Sequence, residues 1–584
     1  MRVSPSAIST DDRPGQVREP SLAARQASPA DHHYLPLAAL GVVLAIALGA
    51  RLWGLAWQLP WQLHPDEGHY TWKALDMLGD AGLNPKYFRN PTLFTYLLYA
   101  QYRLLDYRPP KADEEAVSSE GLLRPPSGVA LVGRLDSALM GLATVTAIAW
   151  IGWRLLCPWA GVLAGAFLGV AFIHVRDSHY ATNDVPATFL LVLSVASSLR
   201  LLQQPTPAAY LLAGLFGGLA TSAKYSAGLF VVPLVLAHTL TPSPPLPNLG
   251  EGEGGEGRGA RALSLLLAAA LAMAAIAYLV GTPYTLLTVD KFWADFRTQM
   301  RLGGEGWEGQ VPSPSGLLYA QALGQGMGWL MLALSVAGLG LLARRQPRTA
   351  AVVAAFPLAY FAYMLRTELF FARFALPAVP FLCLLAACGV RLLAEWARSS
   401  LPRWRWLALG LGGGLGLVAM AQPAYNVLLH DVLIAREDTR VLAARWAIAN
   451  IPPDAKVALE DYSIRDRRPR SYAGPSWQLD TDLFNVNSVS ATDPAAALRG
   501  QYTYFIISSF EYERFRGDAP KLARQTAFYN ALEREGRLVA SFGPGVAGGA
   551  VPFDLEDLYT PFWGLERYER PGPTIRIYAV GPSS

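Results

Sequence analysis

Residues 34–52 read Tyr-Leu-Pro-Leu-Ala-Ala-Leu-Gly-Val-Val-Leu-Ala-Ile-Ala-Leu-Gly-Ala-Arg-Leu, an apolar run whose only charge, Arg51, stands next to its end. A helix needs about 20 mostly apolar residues to cross the hydrocarbon core, because backbone polar groups cannot go unpaired in lipid. Further segments of this kind begin near Val129, Trp159, Asp184, Ala262, Ser315, Thr349, Phe374 and Trp404. The stretch 207–240 is too long for one span, and its centre, Thr221-Ser222-Ala223-Lys224-Tyr225-Ser226, is polar. It reads as two short spans meeting at Lys224. The expectation is a polytopic α-helical membrane protein with about eleven transmembrane helices.

Composition agrees. The chain has 584 residues, 52% of them apolar and 16% charged. A soluble chain carries about a quarter charged residues, so the deficit points to lipid. The net charge of +4 is too small and too dispersed to bind nucleic acid. Cys157, Cys383 and Cys388 all fall in or beside apolar segments and read as small buried hydrophobes, not as a disulfide framework or metal knuckle. Residues 1–33 are polar and basic with no apolar stretch, which fits a disordered cytoplasmic tail better than a cleaved signal. Residues 241–261, Pro-rich and then Gly/Glu-rich, read as a flexible cytoplasmic linker.

Lys and Arg near span ends set the orientation. Arg18 and Arg25, Arg200, Arg258 and Arg261, Arg344, Arg345 and Arg348, and Arg398, Arg403 and Arg405 alternate as a cytoplasmic N-terminus requires. An odd span count then puts the C-terminus outside. After Gln422 the composition changes. A helical pattern at 439–451 stops before Pro452-Pro453, and β-branched or aromatic runs follow at 456–459, 503–508, 538–542 and 574–580, with a helical stretch at 519–535. The division expected is a bundle over 34–425 and an extracytoplasmic α/β domain over 426–584. The carboxylates Asp461, Asp554, Glu556 and Asp557 of that domain read as a solvated face, and the domain is expected to supply no catalytic group. Its run Leu558-Tyr559-Thr560-Pro561-Phe562-Trp563 suits core packing, stacking on a sugar or the membrane interface equally.

Chemistry concentrates in the outer loops. The first, 58–128, opens with Leu63-His64-Pro65-Asp66-Glu67-Gly68-His69-Tyr70 before an amphipathic run. Asp66 and Glu67 there either cap a helix start or do chemistry, since uncompensated charge at a bundle mouth is costly. The next outer turn holds His174, Arg176, Asp177, His179 and Asp184, with Asp184 placed to cap the following span. Lys224 sits at the apex of its two short spans, where a lysine often only snorkels. Arg366, Glu368 and Arg373 share another short outer turn. Cations there suit a phosphate group, and a carboxylate suits a proton leaving an attacking hydroxyl. No GxxxxGK[ST] loop and no GxGxxG before a suitable helix occurs.

From about residue 35 to 425 the chain resembles the GT-C glycosyltransferases of the protein-mannosyltransferase and aminoarabinose-transferase superfamily. The marks are His64-Pro65-Asp66-Glu67, the Arg-Leu-x-Ser-Ala-Leu of residues 134–139, Asp184-Val185-Pro186, residues 218–225 around Lys224, and Arg373-Phe374-Ala375-Leu376-Pro377, all in order. The resemblance implies transfer of a sugar from a polyprenyl-phosphate donor to an acceptor on the extracytoplasmic face of the plasma (inner) membrane. It puts the catalytic base at Asp66, with Glu67 orienting the acceptor or holding a divalent cation, and places Lys224 and Arg373 near the donor phosphate. Arg366 joins those cations, and His64, His69, His179 and Asp184 supply acceptor or supporting contacts. Relatives often carry Lys-Pro-Pro later in the first loop. Here Phe88-Arg89-Asn90-Pro91-Thr92 stands instead, and Arg89 is the substitute phosphate cation. The acceptor, whether protein, glycolipid or polysaccharide, stays open. The rival reading is a secondary transporter or flippase for a lipid-linked or anionic solute, which would bury its charges at mid-depth between two related halves.

Overall fold

A computed structural model describes residues 31–59, 63–79, 82–107, 128–241, 254–307, 310, 315–400, 405–452, 455–460, 462–464, 498, 502–517 and 522–581. The expected N-terminal tail and most of the 241–261 linker lie outside these, although the helix Gly254–Gly281 takes in the linker's last residues. Among the described residues, six helices are long and apolar enough to cross a membrane: Tyr34–Leu52, Val129–Leu155, Asp184–Leu201, Arg261–Gly281, Ala372–Ser400 and Gly410–Asn450. A seventh candidate is the pair Ser315–Met327 and Trp329–Arg345, bent by 107°. Pro158–Val170, Pro207–Ala223 and Tyr225–Leu240 are apolar but shorter. Among the described residues the structure therefore supports six or seven full-length spans, and the larger expected count depends on Pro347–Met364 and the short helices.

The sequence explains each break. Pro207–Ala223 ends where Lys224 turns extended (φ −147°, ψ 123°), and a 3₁₀ stretch, Tyr225–Phe230, leads into the next helix. Gly328, at φ 92°, makes the sharp bend before Trp329. Small residues let helices touch backbone to backbone, as lipid-embedded packing requires. Gly214 and Gly218 lie against the Ala270 and Ala274 carbonyls, and Gly338 lies against Leu385 and Gly389. Ala372–Ser400 is the most enclosed of the long helices.

The C-terminal part folds around a four-stranded sheet of order β1-β2-β4-β3, built from β1 (Val457–Leu459), β2 (Tyr504–Ser508), β3 (Arg537–Phe542) and β4 (Ile575–Ala579). β1 pairs parallel with β2, and the other pairings are antiparallel. Alternate strand residues face opposite sides. Phe505, Ile507 and Tyr578 pack with Phe515, Phe528 and Leu532, whereas Ile506, Ile575 and Ile577 pack with Ala443, Ala444 and Ala447 of Thr439–Asn450. All four strands fall on the runs expected from the sequence. The connection between β3 and β4, residues 543–574, leaves the sheet and inserts into the bundle, where Phe562 and Leu565 join the bundle core.

A Cβ added at Gly338 would lie 1.9 Å from the Leu385 carbonyl oxygen, whereas one at Gly413 would meet nothing within 4 Å. Gly338→Ala should therefore cost about 1–3 kcal/mol, and Gly413→Ala should be neutral or slightly stabilising. Thermal unfolding of the two purified variants checks this.

Candidate active site at the bundle mouth

Asp66 and Glu67 are chain neighbours with opposite fates. The helix Gly68–Asp76 begins just after them, and the Glu67 side chain makes no capping hydrogen bond. Instead the Glu67 carboxylate is fully buried and accepts Arg134 Nε at 2.7 Å and Nη2 at 2.9 Å, with the Ala181 amide donating at 2.9 Å. Arg134 spends its remaining donors on the Leu55 and Trp57 carbonyls and stacks over the Trp57 ring. Burial would raise the Glu67 pKa, but the bidentate guanidinium prevails and holds it below its usual value. This pair pins the segment that carries Asp66 and Glu67 to the helix Val129–Leu155.

Asp66 faces the mouth. Its side chain is 25% exposed and accepts Arg373 Nη1 at 2.6 Å. Burial would raise its pKa, but Arg373, with His64 and His69 beside it, brings it down to about 2. Arg373 also donates to the Tyr559 hydroxyl at 3.0 Å and lies 4.1 Å over that ring and 5.0 Å over Phe371. Phe374 bridges the two cations, with Lys224 Nζ at 5.2 Å and the Arg373 guanidinium at 5.8 Å from its ring centre. Lys224 in turn pairs with Asp184 at the start of its helix. The structure thus brings Asp66, Arg373, Lys224 and Asp184 into one chain of contacts at helix ends.

His64 and His69 flank this chain. His64 is buried, its ring 4.4 Å from Tyr180 and 5.2 Å from Tyr559, and its Nδ1 accepts the Asp66 amide. Burial pushes its pKa down to about 4, so it stands neutral with its proton on Nε2. His69 stacks on Tyr87 with centroids 5.0 Å apart. Arg89, exposed, lies on the loop next to Tyr87, and Arg366 is exposed at the end of Pro347–Met364. Neither touches the Asp66–Arg373 pair. His179 is fully buried elsewhere, with its ring nitrogens 2.9 Å from the Val175 and Trp53 carbonyls.

Among the described residues one group, His179, His430 and Asp431, has the composition and spacing to hold a metal ion. Asp66 and Glu67 do not make a second. Each already meets a guanidinium, so a divalent cation would have to displace Arg373 from one and Arg134 from the other.

The C-terminal domain differs most from expectation. Glu556 and Asp557 are buried, not solvated, whereas Asp554 is exposed as expected and Asp461 lies outside the described residues. Glu556 accepts Arg176 Nη1 at 3.3 Å and the Ala372 amide, and Arg176 Nη2 donates to the Thr560 carbonyl at 2.8 Å. Thr560 Oγ1 also bonds with the Tyr180 hydroxyl, and Phe562 lies under Arg176. The domain therefore contributes Tyr559 directly to the Asp66–Arg373 pair. Three aromatics beside an acidic stretch were the available signal, but which surface they meet is a tertiary fact.

The chain shares its fold with membrane GT-C glycosyltransferases. The archaeal oligosaccharyltransferase AglB from Archaeoglobus fulgidus, in complex with an inhibitory peptide and a dolichol-phosphate, superposes with TM-score 0.52 at 10% identity, over 89% of this chain and 74% of that one. Its apo form gives 0.53 at 11%, over 89% and 75%. ArnT from Cupriavidus metallidurans in the apo state gives 0.49 at 14%, over 95% and 100%. Within that class, residues 127–245 match the family described as dolichyl-phosphate-mannose-protein mannosyltransferase, so the resemblance read from the sequence holds. No curated protein matches the chain in sequence.

Removing one partner of a buried ion pair costs about 3–5 kcal/mol, because the other charge is left dehydrated. Arg134→Met should therefore lower the thermal midpoint steeply, whereas Lys73→Met, which breaks the exposed Lys73–Asp76 pair, should cost about 0–1 kcal/mol. Comparison of the two melting curves tests the structural role of Arg134.

Proposed function

We propose that the chain is a multi-pass membrane glycosyltransferase that moves a sugar from a polyprenyl-phosphate donor to an acceptor at the extracytoplasmic face, with Asp66 as general base. The observation that carries the reading is the quarter-exposed Asp66–Arg373 ion pair at the bundle mouth, joined through Phe374 to Lys224. The matched family is described by a dolichyl-phosphate-mannose donor, and the AglB structure contains dolichol-phosphate, so a lipid-linked donor fits both.

In the resting state Arg373 neutralises Asp66. A donor phosphate, confined to headgroup depth by its lipid, competes for Arg373 and recruits Lys224. Release from Arg373 raises the basicity of Asp66. The acceptor oxygen then attacks the anomeric carbon as its proton passes to Asp66, and the bond from that carbon to the phosphate oxygen breaks. The electron pair goes to the lipid phosphate, where the two cations stabilise the developing charge. Glu67 holds the loop through Arg134 and does not touch the acceptor. Arg89 and Arg366, both exposed, serve the outer approach to the phosphate, and His69 and Asp184 support the pair and Lys224. A divalent cation, if one binds, fits the His179–His430–Asp431 group better than the Asp66 site.

The topology behind this reading has a cytoplasmic N-terminus and an extracytoplasmic C-terminal domain in the plasma membrane. Counting Pro347–Met364 and the three shorter apolar helices together with the seven longer candidates gives eleven crossings. Protein, glycolipid and polysaccharide hydroxyls all remain candidates for the acceptor.

Asp66→Asn keeps the shape but removes the basic lone pair, so turnover of a polyprenyl-phosphate sugar, followed by mass spectrometry, should fall by about 10²-fold or more. Near-wild-type turnover would sink the assignment. The pH profiles make a sharper test. In the free protein Asp66 titrates at about 2, so kcat/KM should show no acid limb from it above pH 3 or so. Once phosphate has drawn Arg373 away, its pKa rises toward the ordinary carboxylate value, so the acid limb of kcat should lie at higher pH than that of kcat/KM. Coincident limbs would contradict release of Asp66.

A further inference from the structure

A cavity of about 490 Å³ opens on the other side of the wall that holds the Asp66–Arg373 pair. One flank is the helix Ser315–Met327 with the start of its bent partner, and the other is the inserted connection from the C-terminal domain. Its size is within the range of about 300–1,000 Å³ usual for small-molecule sites. The lining decides what it can hold. Gln321 and Gln325 contribute amides, Trp329 and Trp563 contribute indoles, and Asp554 and Glu556 contribute carboxylates. No lysine, arginine or histidine lines it among the described residues.

We propose that this cavity binds an uncharged saccharide and is the acceptor's sugar subsite. The proposal rests on the glycosyltransferase reading and adds the acceptor's chemical class. An anionic ligand would meet the exposed Asp554 carboxylate and no lining cation, since Arg176 is already paired with Glu556, so phosphate and sulfate groups are disfavoured. A lipid tail would leave the Gln321 amide and the Asp554 carboxylate dehydrated. A pyranose satisfies both halves of the lining. Its hydroxyls donate to carboxylate and amide oxygens and accept from amide N–H groups, while its C–H face packs on an indole.

Two features support a built site. Trp329 is 53% exposed at the bend and Trp563 is half-buried, so indole surface is presented and not consumed by the core. Gln325 is fixed, its amide donating to the Phe562 carbonyl at 3.1 Å, while Gln321 is exposed and makes no hydrogen bond among the described residues. The cavity also shares its wall with the candidate active site. Phe370 and Glu556 line the cavity, whereas Phe371 and Tyr559, beside them in the two segments, lie against Arg373. A sugar held here has its neighbouring hydroxyl within reach of the mouth only past that wall, so a chain of sugar units suits the geometry better than a single ring.

The test uses the full chain in lipid nanodiscs without donor, and reads saturation-transfer NMR signals. The probes are neutral mono- and disaccharides, mannose, galactose, N-acetylglucosamine, lactose and maltose, with mannose 6-phosphate as the anionic counterpart. At least one neutral sugar should bind, disaccharides better than their monomers, and mannose 6-phosphate should not bind in preference. Gln321→Leu and Trp563→Leu should each weaken that binding about tenfold. Gln321 is exposed, so its variant folds even if the Trp563 variant does not, and the melting midpoint verifies this. Absence of any neutral-sugar signal at tens of millimolar, preference for the phosphorylated sugar, or unchanged binding in folded Gln321→Leu would each overturn the proposal. Because binding is read without donor, a chain that binds the sugar but transfers nothing in the separate polyprenyl-phosphate sugar assay would sink the glycosyltransferase reading and leave the cavity standing.

Discussion

An arginine cannot sit dehydrated among apolar helices without a carboxylate to meet it, and Arg134 is such an arginine. Its bidentate bond to Glu67 ties the segment after the first long helix to the bundle. The preceding residue, Asp66, is thereby delivered to the mouth, where Arg373 meets it. The two pairs look alike in a list of contacts but differ in exposure. Glu67 and Arg134 are wholly buried and have no alternative partner within reach of water. Asp66 is a quarter exposed, so its partner can be exchanged for an incoming anion at modest cost. A permanent anchor beside an exchangeable pair is what the proposed role of Asp66, a base ionised, held and then released, requires.

The C-terminal domain takes part in this arrangement through a single connection. The sheet itself packs its own two cores, but the chain between β3 and β4 runs down to the bundle and places Glu556 on Arg176 and Tyr559 on Arg373. The domain thus packs against residues 371–373.

Helix existence was legible because lipid imposes a length and a composition, and runs such as 34–52 and 129–155 meet both. The break at Lys224 was legible for the same reason, since a polar apex cannot continue a span. The four strands followed from β-branched and aromatic runs between turn signals. Asp66, Arg373 and Lys224 could be singled out because charge is rare at a bundle mouth. Their partners could not: Glu67 as anchor, Arg176 with Glu556, and Tyr559 on Arg373 join residues 67, 380 and 186 positions apart, and no local pattern encodes such pairings. Glu556 and Asp557 looked solvated because hydrophilicity was all that could be read, whereas the connection folds inward there and Arg176 compensates the Glu556 charge. Span counting was least secure where prolines and glycines divide apolar stretches into short helices.

The central claim is that a lipid phosphate draws Arg373 away from Asp66. A structure of the full chain in nanodiscs with a polyprenyl phosphate bound tests it most directly. The account predicts the phosphate between Arg373 and Lys224, with the 2.6 Å contact to Asp66 broken and that carboxylate open to the mouth. A phosphate bound elsewhere, with the Asp66–Arg373 pair intact, would contradict it.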